Sequence, residues 1–342
     1  MRPTTAWQST PTSTELQRVP IERRDLRDDD IAVRIDYCGV CHSDLHALHG
    51  LVGKPTDGLV PGHEFTGVVT AVGRNVTALT LGDRVAVGTC VDSCGECAMC
   101  LAGQENYCYQ GPTSTYGGTD RVDGTITKGG YSREYVLRSR FAYRLPDGLD
   151  PAAAAPLLCA GITVWEPLRA AGIGPGSQVA VAGLGGLGHL GVKLAAALGA
   201  EVTVLSRTPD KADDARTLGA TSLLTEPNEA VGRFDLILDT IPAPHDVESL
   251  LRLLTLDGTL SVVGFPRPIE LNIMHLTLGR KSLSSSGTGG TKHTAELLAF
   301  CAEHNITADV EVLPSSQVTD ALARLEKGDV RYRFVLDLSD LD

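Results

Sequence analysis

Short segments in the first part of this chain carry the hydrophobic patterning that is typical of β-strands. Residues 31–37, 65–72, 84–87 and 131–136 are rich in β-branched and aromatic side chains, and glycine-containing turns separate several of them. A period of two indicates half-buried strands, whereas glycine and polar residues mark the turns between them. The pattern predicts a β-rich first domain over residues 1–150.

The pattern changes near Leu149-Asp150-Pro151, and strands and helices alternate from residue 178 onward. Strands are predicted at 178–182, 201–205, 236–239 and 259–263, and helices at 186–198, 210–218 and 247–254. Such alternation indicates βαβ units and a doubly wound parallel sheet, which we place over residues 151–286. Residues 287–342 form a mixed third part, with a helix predicted at 294–303 and a final strand at 332–338.

Composition narrows the class of protein. The 342 residues are 42% hydrophobic, which suits two domains, and the net charge of -12 argues against a nucleic-acid-binding surface. No apolar run approaches the roughly 20 residues that are needed to span a bilayer. The first residues lack the apolar core of a secretory signal. We therefore expect a cytoplasmic protein that binds neither nucleic acid nor membrane.

Four cysteines lie within fifteen residues, at Cys94, Cys97, Cys100 and Cys108. This spacing suits a structural zinc site that is closed by four thiolates. Two disulfides are the alternative, but they belong mainly to secreted proteins, and no secretory signal is evident. The sequence therefore favours a metal site.

A second set of metal-ligand residues is dispersed along the chain, at Cys41, at His63-Glu64 and at Cys159. Three protein ligands from distant elements are typical of a catalytic zinc site, which keeps its fourth position open. Taken singly, a cysteine is more often a small buried hydrophobe. We interpret the other three cysteines in that way: Cys38, Cys90 and Cys301.

The segment Gly183-Leu184-Gly185-Gly186-Leu187-Gly188 lies between a predicted strand and a predicted helix. Glycines in this arrangement let the backbone approach a pyrophosphate, which then lies at the N-terminus of the helix. A bare glycine-rich turn is the alternative. The flanking strand, helix and following strand favour a dinucleotide site.

The second strand of this unit ends with Ser206, Arg207 and Thr208, and Lys211 follows shortly after. An NAD-binding unit normally has an acidic residue near this position, which holds the ribose hydroxyls. Here hydroxyl and cationic groups replace it, and the arginine fork matches a phosphate well. An arginine that is merely exposed to solvent is the alternative. We predict NADP(H) as the cofactor.

These features together resemble the zinc-containing medium-chain dehydrogenase/reductase superfamily, and within it the cinnamyl alcohol dehydrogenase-like, NADP-dependent branch. The resemblance covers nearly the whole chain. It implies a GroES-like β-rich catalytic domain and a Rossmann cofactor domain, with residues 287–342 returning to the first domain. The segments that carry it are 38–44, 61–65, 94–108, 129–132, 155–163, 183–188 and 329–334.

The resemblance also implies roles for individual residues. It assigns Cys41, His63 and Cys159 to the catalytic zinc, with Glu64 as a carboxylate that approaches the metal during ligand exchange. Asp44 is expected to orient His63, as second partners of metal-bound histidines commonly do. The two zinc ions per chain would thus have different functions.

Three further residues are implied near the reacting groups. Ser43 is expected to hydrogen-bond the substrate oxygen, and His46 is expected at the outer end of a proton relay. His42 is expected near the cofactor phosphates. With these groups the enzyme would transfer hydride between NADP(H) and a primary alcohol or aldehyde, with aromatic and allylic substrates among the candidates.

Alternatives remain at this point. One is an NADPH-dependent reductase of an activated C=C or C=N bond on the same fold, and another is a non-enzymatic NADPH-binding protein. The resemblance also implies a homodimer that pairs sheet edges, with residues 259–263 and 283–286 as the candidate edge strands. A monomer whose edge is covered by a loop is the alternative.

Overall fold

The computed structural model describes residues 1–10, 13–51, 58–226, 230–264 and 268–342. It contains two compact units, of which the first combines Met1–Cys159 with Gly289–Asp342 and the second is Ala160–Thr288. Residues 151–159, which the sequence-based division assigns to the second domain, lie in the first unit. One contact that holds them there is the hydrogen bond from Thr66 Oγ1 to the Pro151 carbonyl, at 2.9 Å.

Strands form most of the regular structure of the first unit and the central sheet of the second. In chain order they are β1 (Arg2–Thr10), β2 (Ser13–Arg23), β3 (Asp30–Val40), β4 (Phe65–Val72), β5 (Arg84–Val87), β6 (Cys90–Asp92), β7 (Thr113–Ser114), β8 (Glu134–Arg138), β9 (Ala142–Arg144), β10 (Gln178–Ala182), β11 (Glu201–Leu205), β12 (Ser222–Leu224), β13 (Phe234–Asp239), β14 (Leu254–Val262), β15 (Ser282–Ser285), β16 (Val310–Pro314) and β17 (Arg333–Asp337).

The helices are short and few of them exceed three turns. In chain order they are α1 (His42–Leu48), α2 (Ala98–Leu101), α3 (Pro151–Ala154), α4 (Ala160–Ala170), α5 (Gly188–Ala197), α6 (Ala212–Thr217), α7 (Val247–Arg252), α8 (Met274–Thr277), α9 (Thr291–Glu303) and α10 (Val318–Glu326). Among the described residues, none of these helices has the length and apolar character that crossing a bilayer requires.

The main sheet of the first unit has the order β16-β17-β3-β4-β5-β9 in the described part of the chain, and β8 also pairs with β3. The final strand β17 pairs antiparallel with β3, so the C-terminal segment belongs to the same sheet as the N-terminal part. Side chains on the inner face of this sheet form one core, in which Ile31, Ile35, Phe65 and Phe334 are fully buried.

The predicted strands at 65–72 and 84–87 coincide with β4 and β5. The strand predicted at 131–136 begins instead at Glu134, because the preceding residues pair with the N-terminal hairpin. There the backbone N–H of Trp7 donates to the Tyr131 carbonyl at 2.8 Å, and Ala6 forms a bridge with Ser132. This pairing leaves Tyr131 facing the interior.

The sheet of the second unit is parallel and has the order β12-β11-β10-β13-β14-β15 among the described strands. Because β10 and β13 are neighbours and the chain runs outward from them in both directions, the carboxyl ends of these two strands mark the switch point. The prediction that residues 259–263 form an edge is wrong, since β14 is paired on both sides. The second candidate, 283–286, overlaps β15, which lies at the edge.

The four-cysteine segment contacts the start of α9 within the first unit. The buried Glu105 carboxylate accepts hydrogen bonds from the backbone N–H and the hydroxyl of Thr291, both at 2.9 Å. The first N–H groups of a helix lack partners within the helix, and a carboxylate there also interacts favourably with the helix dipole. Glu105 therefore satisfies a helix end from a distant part of the chain.

Candidate functional site

Cys41, His63 and Cys159 converge in the first unit although they are distant in sequence. Cys41 follows β3, His63 precedes β4, and Cys159 follows α3 after a single 3₁₀ turn. Their ligand atoms all lie within 4.8 Å of one another, and all three residues are buried. The Cys41 and Cys159 sulfurs are 3.9 Å apart, and His63 Nε2 is 3.2 Å from the Cys159 sulfur.

The donor set fits a zinc ion. With Zn–S bonds of 2.3 Å, tetrahedral geometry places two sulfurs about 3.8 Å apart, close to the observed separation of 3.9 Å between Cys41 and Cys159. Two thiolates and one imidazole form a three-ligand set that is typical of a catalytic zinc site. The carboxylate of Glu64 is not part of this group of ligand atoms.

The carboxylate of Asp44 organises this group. Its Oδ1 accepts hydrogen bonds from His63 Nδ1 and from the Gly62 backbone N–H, both at 3.0 Å. Its Oδ2 accepts from the Cys41 backbone N–H and from the Tyr131 hydroxyl, also at 3.0 Å. Because the carboxylate accepts from Nδ1, the proton of the ring lies there and Nε2 is left to bind a metal.

Gly62 makes this arrangement sterically possible. Its φ is +93°, and a Cβ at this position would lie 2.5 Å from the Tyr131 ring. Any larger residue would displace the tyrosine and strain the backbone beside His63. The glycine thus lets the Tyr131 hydroxyl and the Gly62 N–H reach Asp44 together.

Glu64 follows His63 in the chain and pairs with Arg333 of β17. Both side chains are buried, and the Arg333 guanidinium donates to Glu64 Oε1. Burial raises the pKa of the Glu64 carboxyl to about 7, and Arg333 opposes that shift. Glu64 Oε2 is buried without a hydrogen-bond partner among the described residues, so one carboxylate oxygen is available to a further ligand.

The role of Arg333 is not evident from the sequence. Arg333 belongs to a segment that carried the family resemblance, yet no role was predicted for it. An arginine at the start of an apolar strand is usually solvated, and only the sheet pairing of β17 with β3 buries this one. The strand pairing is a long-range feature that local patterning does not reveal.

Helix α1 carries the three other predicted residues of this site. Ser43 Oγ lies 3.7 Å from the Cys41 sulfur. Ser43 and His46 are three residues apart, which places them on the same side of the helix. The rings of His42 and His46 are 6.4 Å apart between centroids. Burial lowers the pKa of His42.

Tyr116 is a site residue that the sequence analysis missed. Its ring packs edge-on against His63, with 5.5 Å between centroids, and its hydroxyl donates to the Ser43 carbonyl at 3.2 Å. It lies between the four-cysteine segment and β8, where no strand or helix was predicted. Tyr116 belongs to no recognisable motif, because a single tyrosine in a polar loop has no distinctive spacing.

The four clustered cysteines form a second group of ligand atoms within 4.8 Å of one another. The sulfurs of Cys94 and Cys97 lie 3.7 Å and 3.6 Å from that of Cys100, so they are not bonded as disulfides. Backbone N–H groups of Cys100 and Tyr109 lower the pKa of Cys97 to about 6, which favours the thiolate that zinc requires. The disulfide alternative is therefore wrong.

Apart from His42, which lies in the first unit, the predicted dinucleotide residues lie in the second unit, at the carboxyl edge of its sheet. The glycine-rich segment connects β10 to α5, which begins at Gly188 rather than at residue 186. Arg207 and Thr208 follow β11 and are exposed, and Ser206 is half-buried. The Lys211 ammonium donates to the Leu184 carbonyl at 3.1 Å. Lys211 thus lies beside the glycine-rich turn.

Comparison with known families gives two matches. The family described as alcohol dehydrogenase GroES-like domain matches residues 27–147, and the family described as zinc-binding dehydrogenase matches residues 186–303. A probable formaldehyde dehydrogenase of Bacillus subtilis is 47% identical, over 96% of this chain and 95% of that protein. The chain belongs to the zinc-binding alcohol dehydrogenases of the medium-chain dehydrogenase/reductase superfamily.

Two further relatives of this dehydrogenase support the same grouping. An NADP-dependent alcohol dehydrogenase C of Mycobacterium bovis is 46% identical, over 95% of this chain and 96% of that protein. A solved cinnamyl alcohol dehydrogenase of Sorghum bicolor has a TM-score of 0.94 at 41% identity, covering 98% of both chains. The predicted family, the predicted enzyme class and the fold of GroES-like and Rossmann units are therefore confirmed.

We predict that the two groups of ligands hold two zinc equivalents per chain with different functions. Cys159→Ala should retain the fold, lose about one equivalent and abolish turnover. Cys97→Ser should lower the melting temperature, because a structural metal binds only the folded protein and its binding free energy therefore adds to the free energy of unfolding. Elemental analysis, a turnover assay and thermal melting would measure these three effects.

The matched control is Cys301→Ala, since Cys301 is a buried cysteine outside both groups. This variant should keep two zinc equivalents. A single equivalent in the unmodified, unchelated protein would contradict the assignment.

Proposed function

We propose that this chain reversibly transfers hydride between NADP(H) and a primary alcohol or aldehyde at the site of Cys41, His63 and Cys159. The convergence of these three ligands, with Ser43 beside Cys41, is the observation that carries the proposal. The names of the relatives, which include alcohol dehydrogenases and a probable formaldehyde dehydrogenase, support the same reaction class. Aromatic and allylic substrates belong to the proposed range.

Zinc bound by Cys41, His63 and Cys159 would supply Lewis-acid polarisation of the substrate oxygen. Asp44 holds His63 with Nε2 directed at the metal group, and so fixes the geometry of that ligand. Glu64 Oε2 has no hydrogen-bond partner among the described residues, and Arg333 balances the carboxylate charge. This arrangement suits the proposed role of Glu64 in ligand exchange.

The proton of the alcohol passes through side chains of α1 in this proposal. Ser43 Oγ would accept the proton from the substrate hydroxyl and transfer its own proton to His46, which lies on the same side of the helix. Tyr116 restrains the backbone of Ser43 by donating a hydrogen bond to its carbonyl. His46 would exchange the proton with solvent.

NADP(H) would bind at the glycine-rich turn of the second unit. The helix N-terminus at Gly188 and the close packing of Gly183 and Gly188 favour the pyrophosphate, with Gly185, Gly186 and Leu187 completing the turn. The residues proposed for the 2′-phosphate are Ser206, Arg207, Thr208 and Lys211, and His42 is proposed for the cofactor phosphates. The name of the M. bovis relative supports NADP as the cofactor.

A homodimer and a cytoplasmic location complete the proposal. Strand β15 lies at the sheet edge, and all four of its residues are exposed. One of these residues is the apolar Leu283, and Ile273, Met274 and Leu278, which precede the strand in sequence, are also exposed. An open edge beside apolar surface favours pairing with a second copy about a twofold axis.

For the cofactor, we predict that Arg207→Ala raises the dissociation constant of NADPH about tenfold to a hundredfold, because a charge-assisted phosphate contact is lost. Binding of NADH should barely change, since it lacks the 2′-phosphate. The matched control is Arg216→Ala, an exposed arginine that pairs with Asp213 in the same unit. Equal efficiency of the unmodified enzyme with NADPH and NADH would refute the assignment.

For the proton relay, Ser43→Ala should lower aldehyde turnover by about 10³–10⁴-fold, and His46→Gln should lower it less because water can act at the outer end. Ser43→Thr keeps a hydroxyl and should retain much more activity. Steady-state assays, combined with zinc content and NADPH binding, would measure these effects. Near-normal aldehyde turnover of Ser43→Ala, with zinc and NADPH still bound, would show that the relay and the role given to Ser43 are both wrong.

For the assembly, light scattering at micromolar concentration should give the mass of two chains. Leu283→Lys should shift the mass towards one chain, because it places a charge on the edge that pairs. The control is Val231→Lys, which alters another exposed aliphatic residue of the second unit. A single-chain mass for the unmodified protein would rule out the dimer.

A further inference from the structure

A carboxylate–imidazole pair in the second unit has no place in the reaction described above. Asp239 ends β13, and its side chain is fully buried. Asp239 Oδ1 accepts a hydrogen bond from the Ile241 N–H at 3.1 Å, and Oδ2 lies 2.8 Å from His245 Nε2. Burial raises the pKa of Asp239, and His245 opposes that shift. A buried carboxylate is costly unless it is paired in this way.

The position of the pair in the sheet is informative. Asp239 lies at the carboxyl end of β13, next to the end of β10, from which the glycine-rich turn begins. In open parallel sheets, ligands bind outside the carboxyl ends of the strands at such a switch point. The pair therefore lies beside the turn that is proposed to hold the dinucleotide.

The loop of residues 240–245 packs directly on that turn. Thr240 Oγ1 donates to the Ala182 carbonyl at 2.9 Å. A Cβ on Gly183 would lie 3.1 Å from Thr240 Oγ1 and 3.3 Å from Ile241 Cγ1. The loop thus packs closely on the turn. A shift of the loop would change the space available at the turn.

The loop has little freedom of its own. Pro242 and Pro244 fix their φ angles. At the far end, Asp246 caps α7 by accepting a hydrogen bond from the Ser249 N–H at 3.1 Å. The Nδ1 of His245 lies 2.9 Å from the Ala243 carbonyl. The bond from His245 to Asp239 therefore closes a stiff loop onto the strand end from which it started.

We propose that Asp239 and His245 are a positioning pair for the dinucleotide: their contact holds residues 240–245 as one wall of the cofactor site. This inference rests on the dinucleotide site of the proposed function. The loop touches the glycine-rich turn, which contacts the part of the cofactor that NADPH and NADH share. Opening the loop should consequently weaken both cofactors, whereas loss of a 2′-phosphate contact should weaken NADPH alone.

The test is a fluorescence titration of the purified enzyme with NADPH and with NADH. His245→Leu should raise both dissociation constants by about fivefold to fiftyfold, since a charge-assisted contact that orders a binding loop is lost. His245→Gln should recover most of the affinity, because its side-chain amide can donate to Asp239 from a position close to that of Nε2. The matched control is His275→Leu, whose ring pairs with Glu248 at 3.2 Å in the same unit.

Unchanged affinity of folded His245→Leu for both cofactors would overturn the proposal, and so would a loss confined to NADPH. If His245→Leu does not fold, His245→Asn replaces it, because the shorter amide cannot reach Asp239 from the same backbone position. Equal dissociation constants for the Gln and Asn variants would then also overturn it. Titration of Arg207→Ala distinguishes the positioning role of Asp239 and His245 from the proposed 2′-phosphate contact, since that variant tests only the preference for NADPH.

Discussion

The buried carboxylate of Asp44 is the group on which the metal-binding part of the first unit depends. It accepts hydrogen bonds from Cys41, Gly62, His63 and Tyr131, which come from three separate parts of the chain. An ionised carboxylate without partners would cost several kcal/mol at this depth. The fold can bury Asp44 only by bringing these segments together, and the same step places two metal ligands and fixes the tautomer of one of them.

The two metal groups of the first unit solve different physical problems. The dispersed group gathers its ligands from elements that the sheet already holds, so its geometry follows from the fold. The clustered group differs, because its loop has little regular structure and a zinc ion bound by the four thiolates would hold it together. That loop then presents Glu105 to the N-terminus of α9. A metal bound in this loop would thus also support a helix that lies 186 residues further along the chain.

Sequence patterning predicted what depends on local chemistry. The strands at 65–72, 178–182 and 201–205, the four-cysteine group and the glycine-rich turn have periods or spacings that few other structures produce. It failed where long-range pairing decides the outcome. Patterning does not predict the N-terminal hairpin of β1 and β2. It also predicts a sheet edge at residues 259–263, whereas β15 pairs with that strand. Arg333 and Tyr116 were missed for the same reason, since only sheet pairing and loop packing bring them to the site.

Two imidazole–carboxylate pairs in this molecule show why the residue types alone do not define a role. His63 and His245 each contact a buried aspartate, at 3.0 Å and 2.8 Å. The difference lies at the second ring nitrogen. In His63 the second nitrogen faces the Cys159 sulfur. In His245 it faces the Ala243 carbonyl, which can only accept a hydrogen bond, so this nitrogen is used as a donor. The first ring can therefore bind a metal, and the second can only tie together two parts of the chain.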